Sequence, residues 1–159
     1  MRVIGLDPGL RKTGFGIIEF KDNKLKYITS GVISTIGKNN SLEYRLKIIV
    51  DSLSDVIKEY NPNFACIEKV FVNMNPQATL LLGQARGAII ANCIIHNLNI
   101  TEYSALQIKK SVVGYGHADK NQVAKMVCHL LSLEGSLQSD SADALAAAIT
   151  HFLHFKLSY

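Results

Sequence analysis

Three apolar runs open this chain with almost no sequence between them, and that spacing leaves few ways to fold. Val3 to Asp7 reads as a strand, Thr13 to Phe20 as a second and Leu25 to Ile33 as a third, with Lys21-Asp22-Asn23 as a turn signal. Connections this short predict an antiparallel meander. The pattern then changes period. In Ser41 to Tyr60, Leu42, Leu46, Ile49, Leu53, Val56, Ile57 and Tyr60 recur at helical spacing, Ser41 suits an N-cap, and Pro62 lies just beyond the end. Phe64 to Phe71 reads as a strand. Asn75-Pro76 opens a helix that runs to about Asn97. Ile100 to Tyr103 reads as a short strand and Ser104 to about Val113 as a helix. Gly114-Tyr115-Gly116-His117 reads as a flexible loop, Asp119 as the cap of a helix to Leu131, and Ser132 to Ser139 as a loop. Asp140 to Phe155 is the final helix. Three strands, then alternating helix and strand, then helices predict an α/β fold with a mixed five-stranded sheet flanked by helices. Residues 1–159 read as one domain, without internal repeat or linker.

Within these elements, four acids stand where acids are costly. Asp7 ends the apolar strand Val3-Ile4-Gly5-Leu6 and is followed by Pro8-Gly9. Glu68 follows Phe64-Ala65-Cys66-Ile67, and strand alternation puts it on the face of Phe64 and Cys66. Asp140 and Asp143 open the last helix as D-S-A-D, three residues apart and on one side of it. Each also has an ordinary reading. D-x-x-D is a capping arrangement, with Asp140 as N-cap and Asp143 in the favourable first turn. Asp7 before Pro-Gly is a turn former. Jointly the acids point to an oxygen-lined site for a hard divalent cation. A strand returning after a crossover helix commonly pairs in parallel with an earlier one. That pairing would bring Asp7 and Glu68 to the carboxyl end of one sheet, where α/β sites form.

Composition narrows the setting. The 159 residues suffice to bury a core, and 48% hydrophobic with 19% charged residues is globular. Cys66, Cys93 and Cys128 are odd in number, form no C-x-x-C pair and sit in apolar segments, which predicts reduced, buried thiols in a cytoplasmic protein rather than a zinc site or disulfide framework. The start is too short an apolar run for a secretory signal, and Ala88 to Ile95 is far below a membrane span and contains Asn92, so no membrane partner is expected. The net charge is +4, and with four negative charges cancelled by metal the rest of the protein carries +8. That surplus suits a polyanion.

Five stretches together resemble the RuvC family, the bacterial Holliday-junction resolvases. They are G-L-D-P-G-L-R-K-T-G-F-G from Gly5 to Gly16, I-E-K-V-F from Ile67 to Phe71, G-Q-A-R-G from Gly83 to Gly87, V-V-G-Y-G from Val112 to Gly116 and D-S-A-D-A-L-A from Asp140 to Ala146. The resemblance runs from Val3 to about His151. It implies a ribonuclease-H-like fold, a homodimer, and Mg²⁺- or Mn²⁺-dependent phosphodiester hydrolysis. The implied substrate is four-way junction DNA, resolved by symmetric nicks in two strands during recombination and repair. A branch-migration motor complex is the implied companion. The family's acidic ligands map onto Asp7, Glu68, Asp140 and Asp143. Its junction-stacking aromatic maps onto Phe71, and its DNA-contacting lysines onto Lys109 and Lys120. Arg11, Lys12, Lys69 and Arg86 are further candidates for phosphate contacts. The chain departs from the family pattern in ending at Tyr159, with no long basic tail.

The residues fit this chemistry without the resemblance. Two cations about 3.5–4 Å apart would bind the attacking and leaving oxygens of one phosphate, with Asp7 as bridging ligand. His117 reads as a solvated loop residue, and His151 and His154 as surface or packing residues. Two rivals remain: an actin-like phosphate-binding ATPase, which also begins strand-Asp-x-Gly-hairpin but needs two lobes, and a non-catalytic junction- or RNA-binding module. For the dimer, the helix from Pro76 offers more apolar surface than one core face requires, through Leu80, Leu81, Ala88, Ile89 and Ile95.

Overall fold

In the computed structural model, residues 1–22, 24–37, 39–70 and 74–157 are described. The meander forms as β1 (Arg2–Asp7), β2 (Lys12–Lys21) and β3 (Lys24–Ser34). After α1 (Leu42–Tyr60), β4 (Phe64–Glu68) returns parallel to β1, and after α2 (Pro76–Ile95), β5 (Asn99–Tyr103) adds parallel to β4. The sheet order is β3-β2-β1-β4-β5, with antiparallel pairing on one side of β1 and parallel on the other. The chain ends in α3 (Ala105–Val113), α4 (Lys120–Leu130) and α5 (Ser139–Leu157).

Local chemistry sets most boundaries. Ser41, Asn75, Ser104 and Asp119 each cap a helix, the last two in complete capping boxes with Gln107 and Gln122. Asn61 ends α1 in the left-handed region. Two expectations change. The fourth strand stops at Glu68 rather than Phe71, because its partner β5 runs out at the pair Glu68–Tyr103. Asp140 is not an N-cap, since α5 already begins at Ser139 and Asp140 lies in its first turn.

Alternation along β1 and β4 divides the core. Ile4, Leu6, Ala65 and Ile67 face α1 and α2, meeting Ile49, Leu53, Ile57, Ala85, Ile89 and Cys93. Val3 and Cys66 face the layer of α3, α4 and α5. Ile89 is fully buried in the first cluster, so it offers nothing to a second chain, contrary to the sequence expectation. Leu80 (65% exposed) and Ile95 (74%) do stand in solvent, joined by Ile94 (60%), which the sequence reading passed over. The whole of α2 is long and apolar enough to cross a membrane by length and composition, unlike the stretch 88–95 considered alone. The cysteines are free, with Cys66 and Cys93 buried and Cys128 partly exposed.

The packing of α5 decides where the site lies. Ala144, Ala146, Ala147 and Ala148 are buried, and small side chains let a helix approach closely. The sheet answers with glycines at the contact. A methyl group on Gly5 would overlap the Ala144 carbonyl oxygen and lie 2.9 Å from the Ala148 nitrogen. One on Gly14, the partner of Asp7, would overlap the Asp140 carbonyl oxygen, and one on Gly16 would lie 2.5 Å from Leu145 Cγ. Glycines inside strands mark such close approaches of backbone.

Candidate active site

The parallel register pairs Gly5 with Cys66 and Leu6 with Ile67, which carries Asp7 and Glu68 to one level on neighbouring strands. Both side chains share the face of Cys66 and therefore look toward α5. The turn after Asp7 is braced by the buried Thr13 hydroxyl, which donates to the Gly9 carbonyl at 2.8 Å. On α5, Asp143 reaches the same place, one helical turn beyond Asp140.

A cleft of about 400 Å³ opens there. Asp7, Glu68 and Asp143 line it together with Lys69, Lys109 and Lys120, over a floor that includes Pro8, Ile108 and Ala146. Asp140 stands beside this group, close enough to act electrostatically on Asp7. Burial, and then Asp143, Glu68 and Asp140 in that order, push the Asp7 carboxyl up to about 7, against an opposing pull from Lys120. Glu68 is raised by burial and Asp143 and lowered by Lys120 and Lys109. These are the shifts of like charges crowded in a half-buried place.

Lys120 answers part of that crowding. Its ammonium donates to Asp143 Oδ2 at 3.1 Å, and this bond raises its own affinity for a proton. The sequence reading gave Lys120 to DNA phosphate; the structure gives it an acid of the site as well. Among the described residues no three of the potential ligands close on one point, as expected where carboxylates repel and one is drawn toward a lysine. Arg86 is turned toward β5 and ion-paired with Glu102, so its charge is engaged within the chain. Arg11 and Lys12 are exposed at the β1–β2 turn, at the sheet end that carries Asp7. Phe71 lies outside the described residues. His117 is exposed. His151 is buried, with Nδ1 3.3 Å from the Tyr103 hydroxyl and its ring against Phe64.

The crowding has a consequence for stability. Asp7 holds its proton more tightly in the folded chain than in the unfolded one. It therefore weakens the fold progressively as pH rises from about 4 to about 7, and fully above that. The rise from 3.8 to about 7 corresponds to about 4 kcal/mol at most. Asp7→Asn is expected to melt at a higher temperature than the parent at pH 8 in EDTA, with the gap closing toward pH 4. Thermal melts across that range check it, and equal melting at pH 8 would remove the crowding argument.

A mixed sheet in this order, with acids on its central strand and the parallel strand beside it and on the helix laid across them, is the ribonuclease-H-like arrangement. The family model of crossover junction endodeoxyribonuclease RuvC matches residues 3–151, and the chain belongs to that family. It is 59% identical over 154 residues to the crossover junction endodeoxyribonuclease RuvC of Methylobacillus flagellatus, covering 94% of this chain and 86% of that protein. The protein of the same name from Ralstonia pickettii is 54% identical over 151 residues, 95% of this chain and 83% of the relative. Among solved structures, T. thermophilus RuvC in complex with Holliday junction substrate superposes with a TM-score of 0.92 at 28% identity, over 99% of this chain and 96% of that one.

Proposed function

We propose that this chain resolves Holliday junctions as a divalent-cation-dependent endodeoxyribonuclease, nicking two strands symmetrically as a homodimer. The observation that carries the reading is the meeting of Asp7, Glu68 and Asp143 with three lysines in one cleft. The donor set suits the metal: all four acids offer only oxygen, and hard cations such as Mg²⁺ or Mn²⁺ take oxygen ligands. A cation would also offset the burial and the mutual repulsion that raise Asp7 and Glu68.

Asp7, Glu68, Asp140 and Asp143 would hold two such ions. Bound cations would supply charge neutralisation at the phosphate and activation of the attacking water. The chain's own residues do the rest. The rigid ends of β1 and β4 fix two carboxylates, α5 presents the other two, and Lys69 and Lys109 attract and align the phosphate backbone. Lys120 is held at the same rim by Asp143.

The test compares labelled four-way junction, linear duplex of the same sequence, and ATP, each with Mg²⁺. Paired nicks in the junction, with duplex and nucleotide left intact, are expected. Nucleotide hydrolysis would favour the actin-like alternative, and binding without nicking the non-catalytic one.

Symmetric nicks need two catalysts related by a two-fold axis. The exposed face of α2 supports such an assembly, with Leu80, Ile94 and Ile95 around the small, open Gly87. Sedimentation equilibrium at micromolar protein should give a dimer for the parent and a monomer for Ile94→Glu. A monomeric parent that still cuts symmetrically would contradict the assembly. The free cysteines fit a reducing, cytoplasmic setting. A branch-migration motor complex is the further partner implied by the family resemblance.

A further inference from the structure

The cleft does not end at its lysines. Beside it lies an apolar surface that neither the acid site nor the core accounts for. Leu106 is 56% exposed and Tyr115 47% exposed. Leu106 sits in the first turn of α3, between Ala105 and the cleft residues Ile108 and Lys109.

Tyr115 is brought to the same place by the loop that follows. Gly114 ends α3 in the left-handed region at φ 96°, and the chain turns back along the helix. Gly116 then packs so closely on Leu106 that a methyl group there would overlap Leu106 Cδ1 and lie 3.1 Å from Cγ. Two residues on, the buried Ala118 and the Asp119 capping box fix the start of α4, whose first residue is Lys120. The loop is thus tied to α3 at one end and in its middle, and to α4 at the other. It holds the Tyr115 ring partly in solvent on the stretch of chain that packs against the exposed Leu106, and adjoining exposed apolar side chains mark interaction sites.

The surroundings say what would cover it. Lys109 and Lys120 line the adjacent cleft, and the exposed Lys110 and His117 flank the pad on the chain. A rim of lysines around an aromatic and an aliphatic side chain suits a nucleotide, whose phosphate meets the charge and whose base meets the apolar face. An apolar segment of a protein partner would bring no negative charge to Lys109 and Lys110, whereas a nucleotide brings a phosphate.

We infer that Leu106 and Tyr115 form a pad that receives a nucleobase of the DNA strand flanking the phosphate in the cleft. The inference rests on the junction-nuclease reading and deepens it by adding a second contact, through stacking, to the charge contacts of the rim. Tyr115 acts through its ring, so its hydroxyl is dispensable. Leu106 supports the loop from below through its contact with Gly116.

The experiment measures junction affinity in EDTA as a function of salt for the parent, Tyr115→Ala, Tyr115→Phe and Lys110→Ala, with nicking by each in Mg²⁺. Tyr115→Ala should weaken binding about 5- to 150-fold, the range of one base–aromatic stack, with an unchanged salt slope. Tyr115→Phe should bind like the parent. Lys110→Ala should instead reduce the slope by about 0.9. A 2-aminopurine placed next to the nicked phosphate should be quenched by the parent and by Tyr115→Phe but not by Tyr115→Ala. Parent-like affinity and quenching in Tyr115→Ala overturn the pad while leaving the nuclease reading intact. A Tyr115→Phe protein as weak as Tyr115→Ala overturns stacking in favour of a hydroxyl contact. A parent that neither binds nor nicks the junction defeats the underlying reading instead.

Discussion

Asp7→Asn, Glu68→Gln and Asp140→Asn are each expected to lower junction nicking by at least about 10²-fold while junction binding persists. The size follows from position. Even residues one step removed from a metal typically cost 10–100-fold when changed, and these three are proposed ligands. Binding persists because each change removes negative charge from a surface that must meet phosphate, while Lys69, Lys109 and Lys120 remain. Asp143→Asn is expected to be milder in nicking, since water can stand in for a helix-borne ligand. It also releases Lys120 from its bond at Asp143 Oδ2, so its junction affinity should rise. Single-turnover nicking at saturating enzyme, beside equilibrium binding in EDTA, separates the two effects. Near-normal turnover in any of the first three would remove that residue from the site.

The second large effect comes from residues with no side chain. Gly14→Ala is expected to reduce nicking by about 10²-fold, which is what roughly 1 Å of misplacement costs an assembled site. The added methyl group meets the backbone of Asp140, which cannot rotate away, so the first turn of α5 must lift from the sheet. That turn carries Asp140, and Asp143 follows it. Overpacking of this kind costs about 1–3 kcal/mol of stability. The control is Gly31→Ala on β3, where the methyl group meets the Phe15 ring at 2.9 Å, away from α5. Both variants should lose stability, and only Gly14→Ala should lose turnover in the fraction that remains folded. Equal turnover per folded molecule would show that the close seat of α5 does not position the acids.

Much of this arrangement is legible in the chain because it depends on local chemistry. Helix caps at Ser41, Asn75, Ser104 and Asp119 are read from side chains that bond their own backbone. The common face of Phe64, Cys66 and Glu68 follows from period-two alternation. What escapes is set by contacts between distant segments. The end of β4 at Glu68 depends on the length of β5, which apolar character around Val70 does not reveal. The burial of Ile89 depends on α1 covering that side of α2. The pairing of Lys120 with Asp143 joins residues 23 apart and needs the α4–α5 packing to be known. One missed signal was present: Gly5, Gly14 and Gly16 stand in apolar strands where a side chain would otherwise add to the core. Glycines there announce that a backbone, here that of α5, comes close.

The central claim is that acids from β1, β4 and α5 form one cation site. Calorimetric titration of the parent, Asp7→Asn and Glu68→Gln with Mn²⁺ in the absence of DNA tests it most directly. The account predicts saturable binding by the parent, loss of most of that binding in both variants, and a rise in parent melting temperature with Mn²⁺ that the variants lack. Unchanged Mn²⁺ affinity in both variants, with the parent still nicking junctions, would contradict it.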